Sequence, residues 1–372
     1  MAEKQTIFIA HNWSCVSVSS ISYYLALELS KQHRVVFLNG KGPRNVYTRI
    51  NENLEVYDWP NKRPVKFKDF VFFVRLLRKY KPNAVLAHFS TVSVCVVGAW
   101  LFKVKRNCCY YHTLIEQNRL DLPANKSKGL RFRFAIFKKG LVYKLASNII
   151  AVSQYAKLDV SKHFKVDAQK VKVIYNGMPD TACKNNFDAL KIVFAGRCDY
   201  SKGIDVLINA VGLLLNRGIN LQLEVAGGGK QRAQLEEHIQ LKGWQNAIKF
   251  IGPVPYGEIH QFISSAYLIV VPSRIDNLPT VVIEAKVCMV PVIGAAVGGI
   301  PEMIEHKKNG LLFKAEDSGD LAEQIFLLIN DRQLRDNIAA AGRKQYEDCF
   351  TIEKNVRDVR DLLLHGPRDF VN

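Results

Sequence analysis

Short apolar runs alternate with longer segments of helical periodicity along the chain. Six apolar runs precede residue 175: TIFIA (6–10), RVVFL (34–38), AVLA (84–87), CCYY (108–111), IIAV (149–152) and VKVI (171–174). The segments between runs are long enough for helices, as in residues 203–217, where Val206, Leu207, Val211 and Leu214 have helical spacing. This alternation is typical of parallel sheets covered by helices.

The same alternation restarts after a polar stretch, DTACKNNFDA (180–189). Five further runs follow: KIVFA (191–195), LQLEV (221–225), IKFI (248–251), LIVV (268–271) and VPVI (290–293). We therefore predict an α/β fold of two Rossmann-like, doubly wound parallel-sheet domains, residues 1–184 and 185–351, facing a central cleft. The closing segment, residues 352–372, is expected to form a helix that packs back on the first domain.

Length and composition indicate a folded protein of two domains. A chain of 372 residues is long for one hydrophobic core, and 48% of its residues are hydrophobic. Its apolar runs fall short of the roughly 20 residues that cross a bilayer, and the start MAEKQTIFIA is too weakly apolar for a secretion signal. The eight cysteines form no C-x-x-C pair, so we expect reduced, buried thiols, no zinc site and a cytoplasmic location.

The net positive charge of the chain is confined to its first half. The formal net charge is +18, and residues 1–185 contain 31 Lys and Arg against 11 Asp and Glu, a net of +20. The remainder is therefore close to neutral, at −2. This segregation, together with the lack of a nucleic-acid-binding motif, predicts that nucleic acid is not a partner.

The segment LIVVPSRIDNLPTVVIEAKVCMVPVIGAAVGGIPE (268–302) contains two acids separated by seven residues. Asp276 lies in a predicted loop after a strand, Pro279 suits the first position of a helix, and Glu284 lies about five residues into that helix. The free N–H groups at the amino end of a helix suit a diphosphate. The two carboxylates would then accept hydrogen bonds from sugar and ribose hydroxyls.

Either acid alone also fits a structural role. Asp276 suits a turn, Asn277 suits a helix cap, and Glu284 suits a solvated helix position. Three features together favour the functional interpretation: the apolar strand that enters the loop, the spacing of the acids, and the sequence GGIPE (298–302) after the next strand.

With these features the segment resembles glycosyltransferase family 4, whose GT-B fold pairs two Rossmann-like domains and whose signature is two acids separated by seven residues. The resemblance includes VIYNGMP (173–179), VFAGRCDYSKG (193–203), LEVAGGG (223–229) and IKFIG (248–252). It covers nearly all of the chain from residue 100 onward and is looser before that point.

The resemblance implies a donor-binding set in the second domain: Gly196, Arg197, Lys202, Gly252, Asn277, Leu278, Pro279, Thr280 and Glu284. Arg197 and Lys202 follow the first strand of that domain, where two cations would neutralise the departing diphosphate. No metal and no other cofactor is therefore expected. His112 matches the family's histidine at the sugar end of the cleft. The predicted catalytic residues are His112, Arg197, Lys202 and Asp276.

Structural alternatives remain for several of these residues. A lone Arg or Lys after a strand is often plain surface charge, and a histidine at a strand end is often a satisfied structural group. The run Gly227–Gly229 fits the close approach of a ligand, but it also fits a strand-to-helix turn. Gly252 is equally compatible with a position beside the nucleotide base and with a turn.

The chain departs from the family pattern at three places. Asp276 stands where Glu is frequent, and Met289 stands where many members have glycine after the helix, so that helix is expected to end by another route. The first loop, HNWSCVSVSS (11–20), lacks the usual glycine pair. The hydroxyls of Ser14, Ser17 and Ser19 are the predicted acceptor-binding groups in its place.

A basic and aromatic segment, NKSKGLRFRFAIFKKGLVYK (125–144), lies in the positive half of the chain. Its cations are Lys126, Lys128, Arg131, Arg133, Lys138 and Lys139. Cations interleaved with aromatic rings suit an anionic membrane surface. These six residues predict peripheral association with the inner face of the cell membrane.

Together, these features predict a hexosyltransferase that acts with retention of configuration. It would move a hexose or N-acetylhexosamine from a nucleotide diphosphate sugar, with UDP preferred, to a saccharide or lipid-linked saccharide in surface polysaccharide, lipopolysaccharide or glycoconjugate synthesis. One alternative is another nucleotide-sugar-processing GT-B enzyme, such as an epimerase. A basic, non-enzymatic nucleic-acid-binding protein is the alternative from a different class.

Overall fold

The computed structural model describes residues 3–15, 18–40, 47–122, 129–187 and 189–366. Its contacts divide the chain into two compact units. The first unit comprises Met1–Ile115, Ala124–Gly177 and Ile352–Asn372. The second unit comprises Glu116–Pro123 and Met178–Thr351. A short segment of the first half of the sequence therefore groups with the second unit.

Strands and helices alternate in the first unit. Its strands are β1 (Thr6–His11), β2 (Arg34–Asn39), β3 (Tyr47–Asn51), β4 (Leu54–Asp58), β5 (Ala84–Ala87), β6 (Arg106–Tyr111), β7 (Asn148–Ala151) and β8 (Val171–Val173). Its helices are α1 (Ser19–Ser30), α2 (Phe67–Tyr80), α3 (Val92–Leu101), α5 (Leu130–Leu145), α6 (Gln154–Phe164) and α14 (Ile352–His365). Helix α4 (Ile115–Leu120) begins in this unit and continues into the second.

The second unit shows the same alternation. Its strands are β9 (Lys191–Ala195), β10 (Gln222–Ala226), β11 (Ile248–Gly252), β12 (Leu268–Val271), β13 (Val292–Ala295) and β14 (Leu311–Phe313). Its helices are α7 (Ile204–Asn216), α8 (Arg232–Leu241), α9 (Tyr256–Ser264), α10 (Thr280–Val287), α11 (Ile300–Met303), α12 (Ser318–Asn330) and α13 (Arg332–Cys349).

The sheet of the first unit has the order β3-β4-β2-β1-β5-β6-β7-β8. Strand β1 pairs in parallel with β2 on one side and with β5 on the other. These strands are almost entirely buried, as expected of parallel strands covered on both faces. Among the described strands, β3 alone pairs antiparallel, at the edge of the sheet.

The sheet of the second unit has the order β11-β10-β9-β12-β13-β14, and its described pairs are all parallel. Apolar side chains of its strands and helices form one core, with Leu207, Val225 and Ile293 fully buried. The predicted pair of parallel-sheet α/β domains is confirmed. The parallel order places the loops after β9 and β12 side by side at one edge, because these two strands are neighbours.

Helix α14, near the end of the chain, completes the first unit. It packs on α1, and its side chains Val359, Leu362 and Leu363 are fully buried. The side-chain amide of Asn355 donates to the main-chain oxygen of Tyr175 at 2.6 Å. The first unit is therefore built from both ends of the described chain.

The eight cysteines are free thiols. Five of them are buried: Cys95, Cys108, Cys109, Cys198 and Cys288. The expectation of buried thiols was wrong for Cys15, which is exposed because it lies in the loop after β1, and incomplete for Cys183 and Cys349, which are half-buried. Within the described ranges, no helix is both long and apolar enough to cross a bilayer.

Candidate functional site

A cation and an acid meet where β9 and β12 end. Lys202 lies in the turn after β9, and its Nζ is 2.6 Å from Oδ2 of Asp276, in the loop after β12. Ser273 donates to the same oxygen at 3.0 Å, and the main-chain N–H of Asn277 donates to Oδ1 at 3.0 Å. Asp276 is only 6% exposed. Three donors therefore fix the orientation of this carboxylate.

Arg274 holds the two loops in register. Its main-chain N–H donates to the oxygen of Ser201 at 2.9 Å, and its guanidinium donates to both carboxylate oxygens of Asp205 at 2.9 and 2.6 Å. The same guanidinium lies 4.0 Å from the ring centre of Tyr200 and also pairs with Glu316. A two-point Arg–carboxylate contact is geometrically demanding. Arg274 was not predicted, because its place in this loop was the one available signal.

Arg197, the second predicted cation, pairs with two other acids. Its guanidinium lies 2.5 Å from Oδ2 of Asp199 and 3.3 Å from Oδ2 of Asp121. The other oxygen of Asp121 accepts the main-chain N–H of Ser201 at 3.1 Å, and Lys230 donates to the main-chain oxygen of Asp121 at 3.0 Å. Asp121 was not predicted, because it lies far from these residues in sequence. Its carboxylate engages donors of the kind that a phosphate would use.

Glu284 lies inside helix α10, which begins at Thr280, one residue later than predicted, with Pro279 as its capping residue. The carboxyl of Glu284 is 7% exposed and has no side-chain hydrogen-bond or ion-pair partner among the described residues. Burial raises its pKa to about 7. A buried carboxyl without a partner is costly, so Glu284 is a candidate acceptor for a ligand hydroxyl, and its role in donor binding stays a prediction.

The close approach of main chains explains two groups of glycines. A Cβ at Gly298, which has φ +58°, would lie 1.9 Å from the main-chain oxygen of Asp276, and Gly299 donates its N–H to that oxygen at 3.0 Å. A Cβ at Gly227 would lie 1.9 Å from the oxygen of Gly196. The glycine run after β10 therefore packs against the loop that carries Arg197.

The remaining predicted donor residues lie at the same loops. Gly196 follows β9, and Gly252 ends β11 with φ +79° and accepts the N–H of Gly227. Asn277 and Leu278 are buried before α10, and Thr280 at its first position is half-buried. The positive φ explains why glycine stands at the end of β11, and the place of Gly252 beside the nucleotide base stays a prediction.

Helix α10 ends without glycine but in the conformation that glycine favours. Met289 has φ +56°, and the N–H of Val290 donates to the oxygen of Ala285 at 2.9 Å. The expectation of another route was wrong, because the methionine itself adopts the left-handed conformation that closes such helix ends. For a residue with a side chain this conformation costs roughly 1 kcal/mol or more.

Three histidines form a hydrogen-bonded cluster in the first unit, at the carboxyl ends of β1, β5 and β6. Nδ1 of His11 is 2.8 Å from Oγ of Ser22, and the same oxygen is 3.2 Å from Nε2 of His88. Nδ1 of His88 is 3.0 Å from Nε2 of His112. His112 was one of the four predicted catalytic residues. His11 and Ser22 were missed, although a histidine at the end of β1 was the available signal.

Aromatic rings stack on this cluster. The rings of His11 and His88 are parallel with centres 4.2 Å apart, and Phe89 stacks on His112 at 4.2 Å. Tyr110 lies parallel to His112 at 4.9 Å. Phe89 is half-exposed and has φ +47°, a strained value for a bulky residue that often marks a functional position.

Burial keeps the histidine rings neutral. It lowers the pKa of His11 to about 3, and it lowers the pKa of His88 well below the usual value, with the neighbouring histidines adding to the effect. Burial, then His11 and Lys139, also lowers the pKa of His112. A neutral imidazole has one donor and one acceptor nitrogen, so the cluster depends on which nitrogen holds each proton.

Two of the three predicted acceptor-binding serines, Ser14 and Ser19, are described by the structure and lie near β1. Ser14 is half-buried in the loop after this strand, and Ser19 is the first residue of α1. Ser17 lies outside the described residues. In the same loop, the main-chain N–H of Trp13 donates to the side-chain oxygen Oδ1 of Asn39 at 3.0 Å.

Helix α5 presents an exposed apolar stripe beside cations. Its exposed apolar side chains recur at helical spacing: Leu130, Phe134, Phe137 and Leu141. Arg131, Arg133 and Lys138 are exposed on the same helix. Lys139 is half-buried near the rings of Tyr111 and Tyr143, and burial lowers its pKa. Lys126 and Lys128 lie outside the described residues.

Residues that could hold a metal ion are not clustered in the described part of the chain. No group of three or more His, Cys, Asp or Glu side chains there has a suitable arrangement, and the histidine cluster is joined by hydrogen bonds instead.

Comparison with known proteins identifies relatives of both units. Residues 18–181 match the family described as Glycosyltransferase Family 4, and residues 183–345 match the family described as Glycosyl transferases group 1. A protein of Methanocaldococcus jannaschii, named as an uncharacterized glycosyltransferase, is 32% identical over 280 residues. The aligned region covers 75% of this chain and 74% of the relative.

Solved structures share the fold over almost the whole chain. Sucrose-phosphate synthase from Thermosynechococcus elongatus has a TM-score of 0.78 at 19% identity, covering 96% of this chain and 98% of that chain. HepE of Anabaena, in complex with UDP-glucose, has a TM-score of 0.75 at 18% identity, covering 96% and 99%. At these identities the similarity establishes the fold alone, and the predicted fold class is confirmed.

Proposed function

The chain belongs to glycosyltransferase family 4, and we propose that it is a retaining hexosyltransferase that uses a UDP-sugar. The transferred group is a hexose or N-acetylhexosamine. The acceptor is a lipid-linked saccharide in the synthesis of a surface polysaccharide or glycoconjugate. The observation that carries the donor half of this proposal is the buried, unpartnered carboxyl of Glu284, one helix turn beyond the amino end of α10.

The donor proposal follows from the charges around that helix. Its amino end offers N–H groups to the diphosphate, with Lys202 and Arg197 supplying positive charge. Glu284 would accept hydrogen bonds from ribose hydroxyls, and Asp276 from hydroxyls of the sugar. HepE, which shares the fold, was solved with UDP-glucose, and this supports the choice of UDP.

The proposed reaction needs no nucleophile from the protein. The bond between the anomeric carbon and the diphosphate oxygen breaks, and a hydroxyl oxygen of the acceptor bonds to that carbon on the same face. The hydroxyl proton passes to an oxygen of the departing diphosphate. Lys202 and Arg197 would stabilise the charge that develops on this leaving group, so we propose that no metal ion is required.

The lipid-linked acceptor is proposed from the surface of α5. The stripe of Leu130, Phe134, Phe137 and Leu141 is exposed although a helix on a sheet usually buries its apolar face. Cations beside it and the net charge of the first half complement anionic lipid headgroups. We propose that this helix holds the enzyme on the cytoplasmic face of the membrane, where lipid-linked saccharides are presented.

A panel of nucleotide sugars tests the donor. We expect UDP-glucose, UDP-galactose or UDP-N-acetylglucosamine to raise the melting temperature, since a ligand at 100 times its Kd adds about 2.7 kcal/mol to stability. GDP-mannose is the matched comparison with another base. Stabilisation by GDP-mannose alone would refute the choice of UDP. Conversion of the sugar without any acceptor would favour the epimerase alternative.

Vesicle flotation tests the membrane surface. Wild-type protein should bind vesicles of phosphatidylglycerol and phosphatidylcholine, and added salt should weaken the binding. The double variant F134S/F137S should lose most of it. The matched control is Leu158→Ser, because Leu158 is a 69% exposed apolar residue on a different helix, α6, of the same unit. Equal binding by both variants would contradict the assignment of this surface.

A further inference from the structure

A chain of hydrogen-bond distances runs from His11 through Ser22 and His88 to His112, the residue expected to touch the transferred sugar. We propose that Ser22, His88 and His11 are positioning residues that together fix the tautomer of His112. This inference rests on the proposed function only for its effect on turnover. The coupling of the tautomers is a property of the protein alone.

The links allow two arrangements of protons when all three rings are neutral and Ser22 donates to one of its two histidine neighbours. In the first, Ser22 donates to His11 and accepts from His88, and Nδ1 of His88 accepts the Nε2 proton of His112. In the second, every donor is reversed, and His112 carries its proton on Nδ1. The hydroxyl of Ser22 has one proton and donates to only one histidine at a time. Each ring therefore constrains the next.

The interior of the unit isolates this chain from water. Ser22 is fully buried, His88 is 1% exposed and His11 is 4% exposed. The lowered pKa values of both histidines keep the links in their neutral form at physiological pH. The stacked rings of His11 and His88 also limit rotation of either imidazole. A flip that reversed one link would leave a buried nitrogen without a partner, which is unfavourable.

A fixed tautomer determines what His112 can offer a ligand. When Nε2 of His112 is the donor to His88, Nδ1 is an acceptor, and the reverse assignment makes Nδ1 a donor. A sugar hydroxyl pairs with either, but a carbonyl of an N-acetyl group pairs only with a donor. The chain from Ser22 therefore acts on substrate binding through His112 without touching the substrate.

Ring-¹⁵N-histidine NMR of the full chain, without ligand, tests the coupling. Nitrogen chemical shifts separate the protonated from the bare ring nitrogen, and the spectrum of His112→Gln assigns His112 among the nine histidines. In wild-type protein, we expect His11, His88 and His112 to show one of the two patterns. Ser22→Ala should change the Nδ1–H to Nε2–H ratio of His112, two links away from the substitution.

Ser30→Ala is the matched control, because Ser30 is a buried serine on the same helix whose hydroxyl donates to the oxygen of Leu27. It should leave the ratio at His112 unchanged. His88→Phe keeps an aromatic ring in the stack and removes the final link, so it should change the ratio even if Ser22→Ala fails to fold. An unchanged His112 in the folded variants would overturn the inference.

Turnover separates this inference from the proposed function. If UDP-glucose is a donor, Ser22→Ala should slow the release of UDP from it by roughly tenfold, the size of one lost hydrogen bond, with little change in KM for UDP-glucose. A coupled tautomer in a protein that turns over no nucleotide sugar would refute the function and leave the coupling standing. Unchanged turnover beside a changed tautomer would overturn the positioning role.

Discussion

At the loops after β9 and β12 in the second unit, charged side chains are joined by salt bridges, with Lys202 and Asp276 at the centre. In the histidine cluster of the first unit, neutral rings are joined by hydrogen bonds, with His88 and His112 at the centre. A cation in a salt bridge can leave its carboxylate and pair with a charged ligand instead. Neutral imidazole rings in a buried stack keep their hydrogen-bond partners, and the ring at the end of the stack keeps one orientation toward a ligand.

The difference matches two kinds of ligand group, a diphosphate and a sugar hydroxyl, which are bound by different interactions. A diphosphate carries negative charge that must be balanced, and cations already held by carboxylates can balance it without a large rearrangement. Binding of a sugar hydroxyl depends more on the orientation of its partner than on charge, because a hydrogen bond weakens steeply when its distance or angle is poor. Single substitutions in either site test this difference.

Lys202→Ala should have the largest effect. We expect the stabilisation by UDP to disappear and turnover to fall roughly 100-fold or more, since this removes the cation nearest Asp276 and leaves that carboxylate buried without it. Calorimetric binding of UDP measures the first effect, and the melting temperature without UDP reports any loss of folding.

The matched control for that experiment is Lys191→Ala. Lys191 has a similar exposed fraction, 17% against 18% for Lys202, and it also pairs with a carboxylate, that of Glu224. The variant Lys191→Ala should bind UDP as the wild type does. Similar losses in both variants would show that the effect of Lys202→Ala is only one of stability.

Mild acid should destabilise the neutral cluster. The pKa of His88 is lower folded than its unfolded value of 6.5, so the unfolded chain binds more protons and stability falls as the pH drops below 6.5. One unit below that value, we expect His88→Phe to abolish about 1.4 kcal/mol of the acid sensitivity. Urea unfolding at pH 7.5, 6.5 and 5.5 measures it, and parallel slopes for both proteins would contradict the neutral assignment.

Glu284→Gln should distinguish the contribution of the ribose to UDP binding from that of the phosphates. We expect roughly tenfold weaker binding of UDP at pH 8 and little change for pyrophosphate, since only UDP has ribose hydroxyls that donate to the carboxylate. Wild-type affinity for UDP should also fall as the pH drops through about 7, where Glu284 takes up a proton. The variant should lack that dependence. Equal losses of affinity for UDP and pyrophosphate would show that Glu284 does not contact the ribose.

Asp121→Asn should have the smallest effect, and in the opposite direction. The carboxylate of Asp121 is bound to Arg197 and to the N–H of Ser201, so it competes with a diphosphate for those groups. Removing its charge should tighten the binding of UDP about two- to fivefold, the size of an exposed ion pair. Weaker binding would mean that Asp121 orients Arg197 for the ligand.

The apolar runs predicted the central strands because parallel strands buried on both faces have continuous apolar sequence. Strand β3 was missed because all of its residues are exposed and it lies at the edge, so it has no apolar run. Strands β4 and β14 were missed for a related reason: they are short, and β4 contains Glu55 and Asp58 within its five residues.

The candidate site could be predicted where its residues lie in short motifs of fixed spacing. Asp276, Glu284 and Lys202 stand in motifs at fixed spacing, and the structure brings Lys202 and Asp276 together. Asp121 and Ser22 contact residues that are distant in sequence. A single sequence carries no sign of such contacts, and neither the pairing of Asp121 nor the link from Ser22 to His88 could be predicted.

Helix α14 has a consequence for synthesis of the protein on the ribosome. The buried side chains Val359, Leu362 and Leu363 belong to the core of the first unit. The strands that they cover are translated hundreds of residues earlier and must wait, incompletely covered, while the second unit emerges. The second unit can therefore mature first, and the nascent first unit is the part of the chain that chaperones are expected to protect.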